Sequence, residues 1–137
     1  MALALSFFVS LSLASAETDD PCSKKNSNME MRECCSREQA RVNAETDSLA
    51  EKIAADLRKG AQDPVMEGVV ADLLRKAASA VTQSQKTWKS YRDQHCSAVE
   101  YSWTTGSGAG TVHEACLFEL GQARLRELRS AFDSSLH

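Results

Sequence analysis

Apolar residues recur along this chain at intervals of three, four and seven, and no segment alternates apolar and polar positions as a strand would. The first run is Met31, then Cys34 or Cys35, Val42, Leu49, Ile53 and Leu57. It is preceded by Ser27-Asn28-Met29-Glu30, a capping box in which the serine oxygen takes an orphan N–H and the glutamate reaches back. Gly60 is the expected stop. Between Ser36 and Asp47 the only apolar residues are Val42 and alanines, so this part of the helix is expected to be highly exposed or to face a partner. A second run follows Asp63-Pro64, a cap and a first-turn proline: Val65, Met66, Val69, Val70, Leu73, Leu74, Ala77, Ala80, Val81, Ser84, Trp88 and Tyr91. It predicts a helix from about Pro64 to Val99, about 50 Å long, with a bend or break near Ala77–Ser84. Tyr101 to Gly110 holds three glycines among Ser and Thr and reads as a loop. Thr111-Val112-His113-Glu114 reads as a second capping box, opening a third helix with Cys116, Leu117, Leu120, Arg124, Leu125, Leu128 and Phe132 on its buried side. The fold class is therefore all-α: a small disulfide-stapled bundle of about three helices, a long antiparallel hairpin plus a C-terminal helix.

The chain begins with an uncharged, apolar stretch from Ala2 to Ala16 that ends in Ala14-Ser15-Ala16 and gives way to Glu17, Asp19 and Asp20. Residues 1–16 read as a signal peptide, although no Lys or Arg precedes the apolar run. Residues 17–137 are then one exported domain, with 17–26 as a polar tail leading to Cys22. No cysteine stands at the cleavage point, so no lipid anchor is expected and the product should be soluble, periplasmic or secreted. The net charge of −3 argues against nucleic acid, whose binders carry a basic excess.

In an exported domain of this size, cysteines read first as a disulfide framework. Cys96 closes the second helix and Cys116 opens the third, so a bond between them would pin the Gly-rich loop. Cys22 can fold back on Cys34 or Cys35, which point about 100° apart on a helix. The count of five is odd, and Cys35 is expected to remain a thiol, inert and buried or available for a Cys35-linked dimer. The three histidines have no ligand spacing and no C-x-x-C pair exists, so neither metal nor cofactor is expected.

Gln85, Trp88, Tyr91 and Arg92 share one broad helix face, with Asp93 beside them. Trp88 and Tyr91 are expected to pack against the third helix, and Arg92 to pair with an acid such as Glu38 or Glu119, or else to stand with Asp93 at an exposed rim. The chain resembles the LprI-type lysozyme-inhibitor N-terminal domain family of small exported bacterial proteins. The resemblance is carried by Cys22, by Glu30-Met31-x-x-Cys34 with Glu38, by Gln85-x-x-Trp88-x-x-Tyr91-Arg92-Asp93-x-x-Cys96, by Gly106-Ser107, and by Cys116 with Leu120, Arg124 and Leu128. It implies the pairs Cys22–Cys34 and Cys96–Cys116, with Cys35 outside them. The chain departs from the family pattern at Asn43 and Thr46-Asp47 in the first helix and at Gly121 in the third.

The resemblance implies an exported protein that binds and inhibits a lysozyme. The hydroxyl-rich loop, with Tyr101, Trp103, Thr104, Thr105, Ser107 and Thr111, is the expected partner-binding element, its aromatics serving as anchors. The alternative is an exported envelope or immunity protein with a different partner. No nucleophile motif, phosphate loop or HExxH segment is present, so an enzyme is not expected.

Overall fold

The computed structural model describes residues 21–104 and 106–132; the expected signal peptide lies outside the described residues, as does Thr105. Three helices follow in order: α1 (Asn28–Gly60), α2 (Val69–Ser102) and α3 (Ala109–Phe132). α2 runs antiparallel to α1, since Asp47 meets Gln85 and Lys89 while Arg58 reaches Thr82. α3 runs parallel to α1, with Thr111 beside Asn28 and Gly121 against Val42. The result is an up-down-up bundle in which each helix packs on both others.

The α1 capping box forms as its sequence predicts: Ser27 Oγ accepts from Glu30 N–H, and Glu30 Oε2 accepts from Asn26 N–H. The other two helix starts differ from expectation. Asp63 and Pro64 make a turn rather than a cap, with Asp63 Oδ1 accepting from Val65 N–H, and the helix waits until Gly68 (φ 65°) has reversed the chain. In α3 the Thr111 hydroxyl donates to the Asn28 carbonyl, so it is not a cap, and α3 starts two residues earlier, at Ala109. α2 is one unbroken helix through Ala77–Ser84.

The main core joins Ala50, Ile53 and Ala54 of α1 to Ala78 and Val81 of α2 and Leu128 of α3, with Leu49, Leu57 and Phe132 packed around it. The buried face of α2 is rotated from the one its large apolar residues suggest. It consists of Ala71, Ala78, Val81, Gln85, Arg92 and Cys96, while Val65, Val69, Val70, Leu73 and Tyr91 are exposed. The small residues face inward because the helices approach closely. Within Ser36–Asp47 only Val42 and Thr46 are buried, the rest being exposed or half-buried, and Val42 lies against α3, where a Cβ on Gly121 would stand 3.0 Å from its Cγ1. Thr46 turns its hydroxyl back onto the Val42 carbonyl at 2.7 Å, so a polar side chain is buried with its donor satisfied.

Candidate functional site

Two assemblies hold the residues of interest. One is a polar stack at mid-bundle, and the other is the loop between α2 and α3.

The stack is built around Arg124, which stands on the apolar side of α3 and is buried. Its Nε donates to Gln85 Oε1 (3.1 Å), its Nη2 to Ser84 Oγ (3.0 Å) and its Nη1 to Glu127 Oε1 (2.8 Å). Gln85 in turn donates to Asp47 Oδ1 on α1 (2.9 Å), and Lys89 donates to Asp47 Oδ2 (2.7 Å). One chain of charge-assisted bonds thus crosses all three helices. The Trp88 ring lies between two guanidinium groups, Arg92 at 5.2 Å and Arg124 at 6.0 Å from its centroid.

Of the motif residues, Gln85 and Arg92 are buried, and Trp88 is half-buried beside the two guanidinium groups. Tyr91 does not pack on α3; it is exposed and stacks on His95 at 5.5 Å. Arg92 does not reach Glu38 or Glu119. Its Nε and Nη2 both donate to the adjacent Asp93, while the guanidinium stands over the Trp88 ring.

Burial pushes the Asp47 carboxyl up. The hydrogen bonds from Lys89 and Gln85, with the charges of Lys89 and Arg92, outweigh that and hold it below the usual carboxylate range. A carboxylate so committed suits an ion pair and is the opposite of the raised group that acid catalysis at neutral pH needs. Beside it, Ala50, Glu51, Thr82, Gln85, Lys86 and Lys89 line a shallow groove of about 330 Å³ between α1 and α2. Among the described residues, no three His, Cys, Asp or Glu side chains are placed to hold a metal ion. Nor is any helix long and apolar enough to cross a membrane.

The α2–α3 loop sits over two disulfides. Cys96–Cys116 joins the two helices below it, and Cys22–Cys34 ties the N-terminal arm to α1. Both lie at the same end of the bundle, because Ala115 of α3 packs against the Cys22–Cys34 cluster. Cys35 lies outside both bonds and is 1% exposed, so a Cys35-linked dimer would require α1 to open at this end. The loop is a succession of tight turns, with N–H groups of Trp103, Thr104, Gly106 and Ala109 each bonded to the carbonyl three residues back. Trp103 lies over the loop, its ring 3.6 Å from where a Gly108 Cβ would be, yet it remains 51% exposed; Tyr101 is 74% exposed. Thr104 takes a left-handed conformation (φ 50°), which costs a β-branched residue about 1–2 kcal/mol. Ser107 is exposed, Thr111 is half-buried against α1, and His113 Nδ1 stands 3.1 Å from Glu100 Oε2 across the base of the loop.

Sequence reasoning missed the connection of Asp47, Lys89 and Ser84 to the motif. The available signal was Arg124, a charge in line with Leu117, Leu120 and Leu128 that could be buried only with partners.

A family model described as lysozyme inhibitor LprI matches residues 19–128. The chain is also similar to an uncharacterised protein of Rhizobium meliloti (strain 1021), 26% identical over 123 residues, covering 89% of this chain and 86% of that one. No solved structure matches the chain.

Proposed function

The chain belongs to the lysozyme inhibitor LprI family, and from that premise we propose that it is an exported protein that binds a lysozyme and blocks it by protein–protein contact. The observation that carries this reading is the extent of the family match, which takes in α1, α2, most of α3 and both disulfides. The disulfides suit an oxidising compartment, in keeping with a periplasmic or secreted protein.

The binding element in this reading is the α2–α3 loop. Tyr101 and Trp103 offer large amphipathic surface at low entropic cost, on turns already fixed by backbone bonds and by Cys96–Cys116 beneath. A lysozyme works with two carboxylates in an open cleft, and a rigid aromatic loop seated over that cleft would exclude the polysaccharide. The net charge of −3 favours encounter with a basic enzyme.

The test is lysis of bacterial cell walls by a panel of lysozymes, with and without the purified, oxidised protein. Dose-dependent inhibition of at least one class is expected. Unchanged lysis by every class, with the protein shown folded, would refute the reading and turn the search to another envelope partner.

A further inference from the structure

The opposite end of the bundle carries an unpartnered apolar face. On the first turns of α2, Val69 (74% exposed) and Leu73 (57% exposed) stand four residues apart on one helix face as a short ridge, with Val70 exposed on the same turns and Val65 and Met66 exposed on the segment before Gly68. Large apolar side chains singly exposed are ordinary, but five within residues 65–73 at one end of a small domain mark an interaction surface. The local chemistry gives no other reason for them. Gly68 supplies no side-chain cap, and two exposed β-branched residues open the helix, where polar residues would hold its free N–H groups better.

Next to the ridge is a groove of about 270 Å³, lined by Ile53, Leu57, Gly60, Met66 and Leu74 and by the acids Asp56 and Asp63. Ridge and groove are adjacent on one surface, as a two-fold interface requires, since each copy must then offer both the knob and the hole. The charges fit the same symmetry. Glu67 lies at the start of the ridge and Lys76 at its far end, and neither has an ion-pair partner among the described residues. Arg75, by contrast, is already paired with Asp72. When two such ridges meet antiparallel, Val69 of one against Leu73 of the other, Glu67 of each copy comes to the end occupied by Lys76 of its mate. An anionic lipid surface fits less well, because Asp63, Glu67 and Asp72 stand around the same patch.

We propose that this face binds a second copy of the chain in a two-fold dimer, the Val69–Leu73 ridge of each copy seating beside the Met66 groove of the other. The two α2–α3 loops then point away from the dimer axis, at the far ends of the assembly, so dimerisation and partner binding use separate surfaces.

Sedimentation velocity on the full oxidised protein as purified tests this, over micromolar to sub-millimolar concentrations. The wild-type protein should sediment as a dimer that dissociates on dilution. Leu73→Glu and Lys76→Glu should each raise the dissociation constant at least about tenfold, with helical circular dichroism unchanged because both positions are exposed. Val69→Lys serves as a second ridge variant should Leu73→Glu misfold. The charge-exchanged double variant Glu67→Lys/Lys76→Glu should recover most of the affinity lost by Lys76→Glu alone, a rescue that only the antiparallel pairing gives. A wild-type protein that stays monomeric over the whole range overturns the proposal. So does a dimer indifferent to the ridge variants, and so does a monomer that cosediments with phosphatidylglycerol–phosphatidylethanolamine vesicles, which would assign the face to lipid.

Discussion

The two ends of this bundle are held together by different means. At the hairpin end, Ile53, Ala54, Ala78, Val81 and Leu128 make an apolar core of ordinary kind, with Leu57 and Phe132 around it. At the loop end the buried cluster is Cys22, Cys34 and Cys35 with Met31 and Ala115, and a second disulfide stands nearby. The difference follows from what the chain offers at each end. The N-terminal half of α1 has few apolar residues beyond Met29, Met31, the cysteines and Val42, and the α2–α3 loop is one half-exposed tryptophan among glycine and hydroxyl residues. Neither can bury enough apolar surface to hold three helix ends together, so covalent bonds do it. The loop then stands on a staple rather than on a core.

Breaking each end separately tests that contrast. The largest effect is expected from Ile53→Ala, a cavity between three helices, at about 3–4 kcal/mol in chemical denaturation. Replacing Cys96 and Cys116 by serine should cost about 3 kcal/mol through loop-closure entropy. It should also speed amide exchange between residues 96 and 116 while leaving Leu49–Leu57 protected, which separates the staple from the core. Arg124→Met, which leaves Gln85 and Ser84 without their shared partner, should cost about 2 kcal/mol by the same denaturation measurement.

A smaller effect lies in pH. The folded-state pKa of Asp47 is lowered, so its contribution to stability is fully present above the ordinary aspartate pKa and is lost as pH falls below that, through the folded-state value. Denaturation midpoints of Asp47→Asn and wild type should therefore converge in that acid window, and a gap that persists there would contradict the assignment. The smallest stability effect, under about 1 kcal/mol, is expected from Trp103→Ala, whose half-exposed ring lies against Gly106 and Gly108.

Much of this was legible in the residues. The three helices, their order and the Ser27 cap follow from spacing and capping chemistry. What misled was size. Leu73, Val69 and Tyr91 look like a buried stripe, but α2 turns Ala71, Ala78 and Val81 inward because closely spaced helices accept small side chains at the contact. Periodicity gives a face its width; it does not decide which edge of that face is covered. Asp47 was equally hidden, sitting in a polar stretch that reads as solvated until Gln85 and Lys89 are seen to reach it from another helix. The Thr111 box failed for a related reason: the Asn28 carbonyl, 83 residues away in sequence, takes the hydroxyl.

The most direct test of the account is calorimetric titration of wild type, Trp103→Ala and Leu73→Glu into the lysozyme that the wall-lysis panel selects. The expected result is a loss of at least about tenfold in affinity for Trp103→Ala and no change for Leu73→Glu, which assigns the partner to the stapled end. Equal affinity for wild type and Trp103→Ala, or a loss confined to Leu73→Glu, would contradict it.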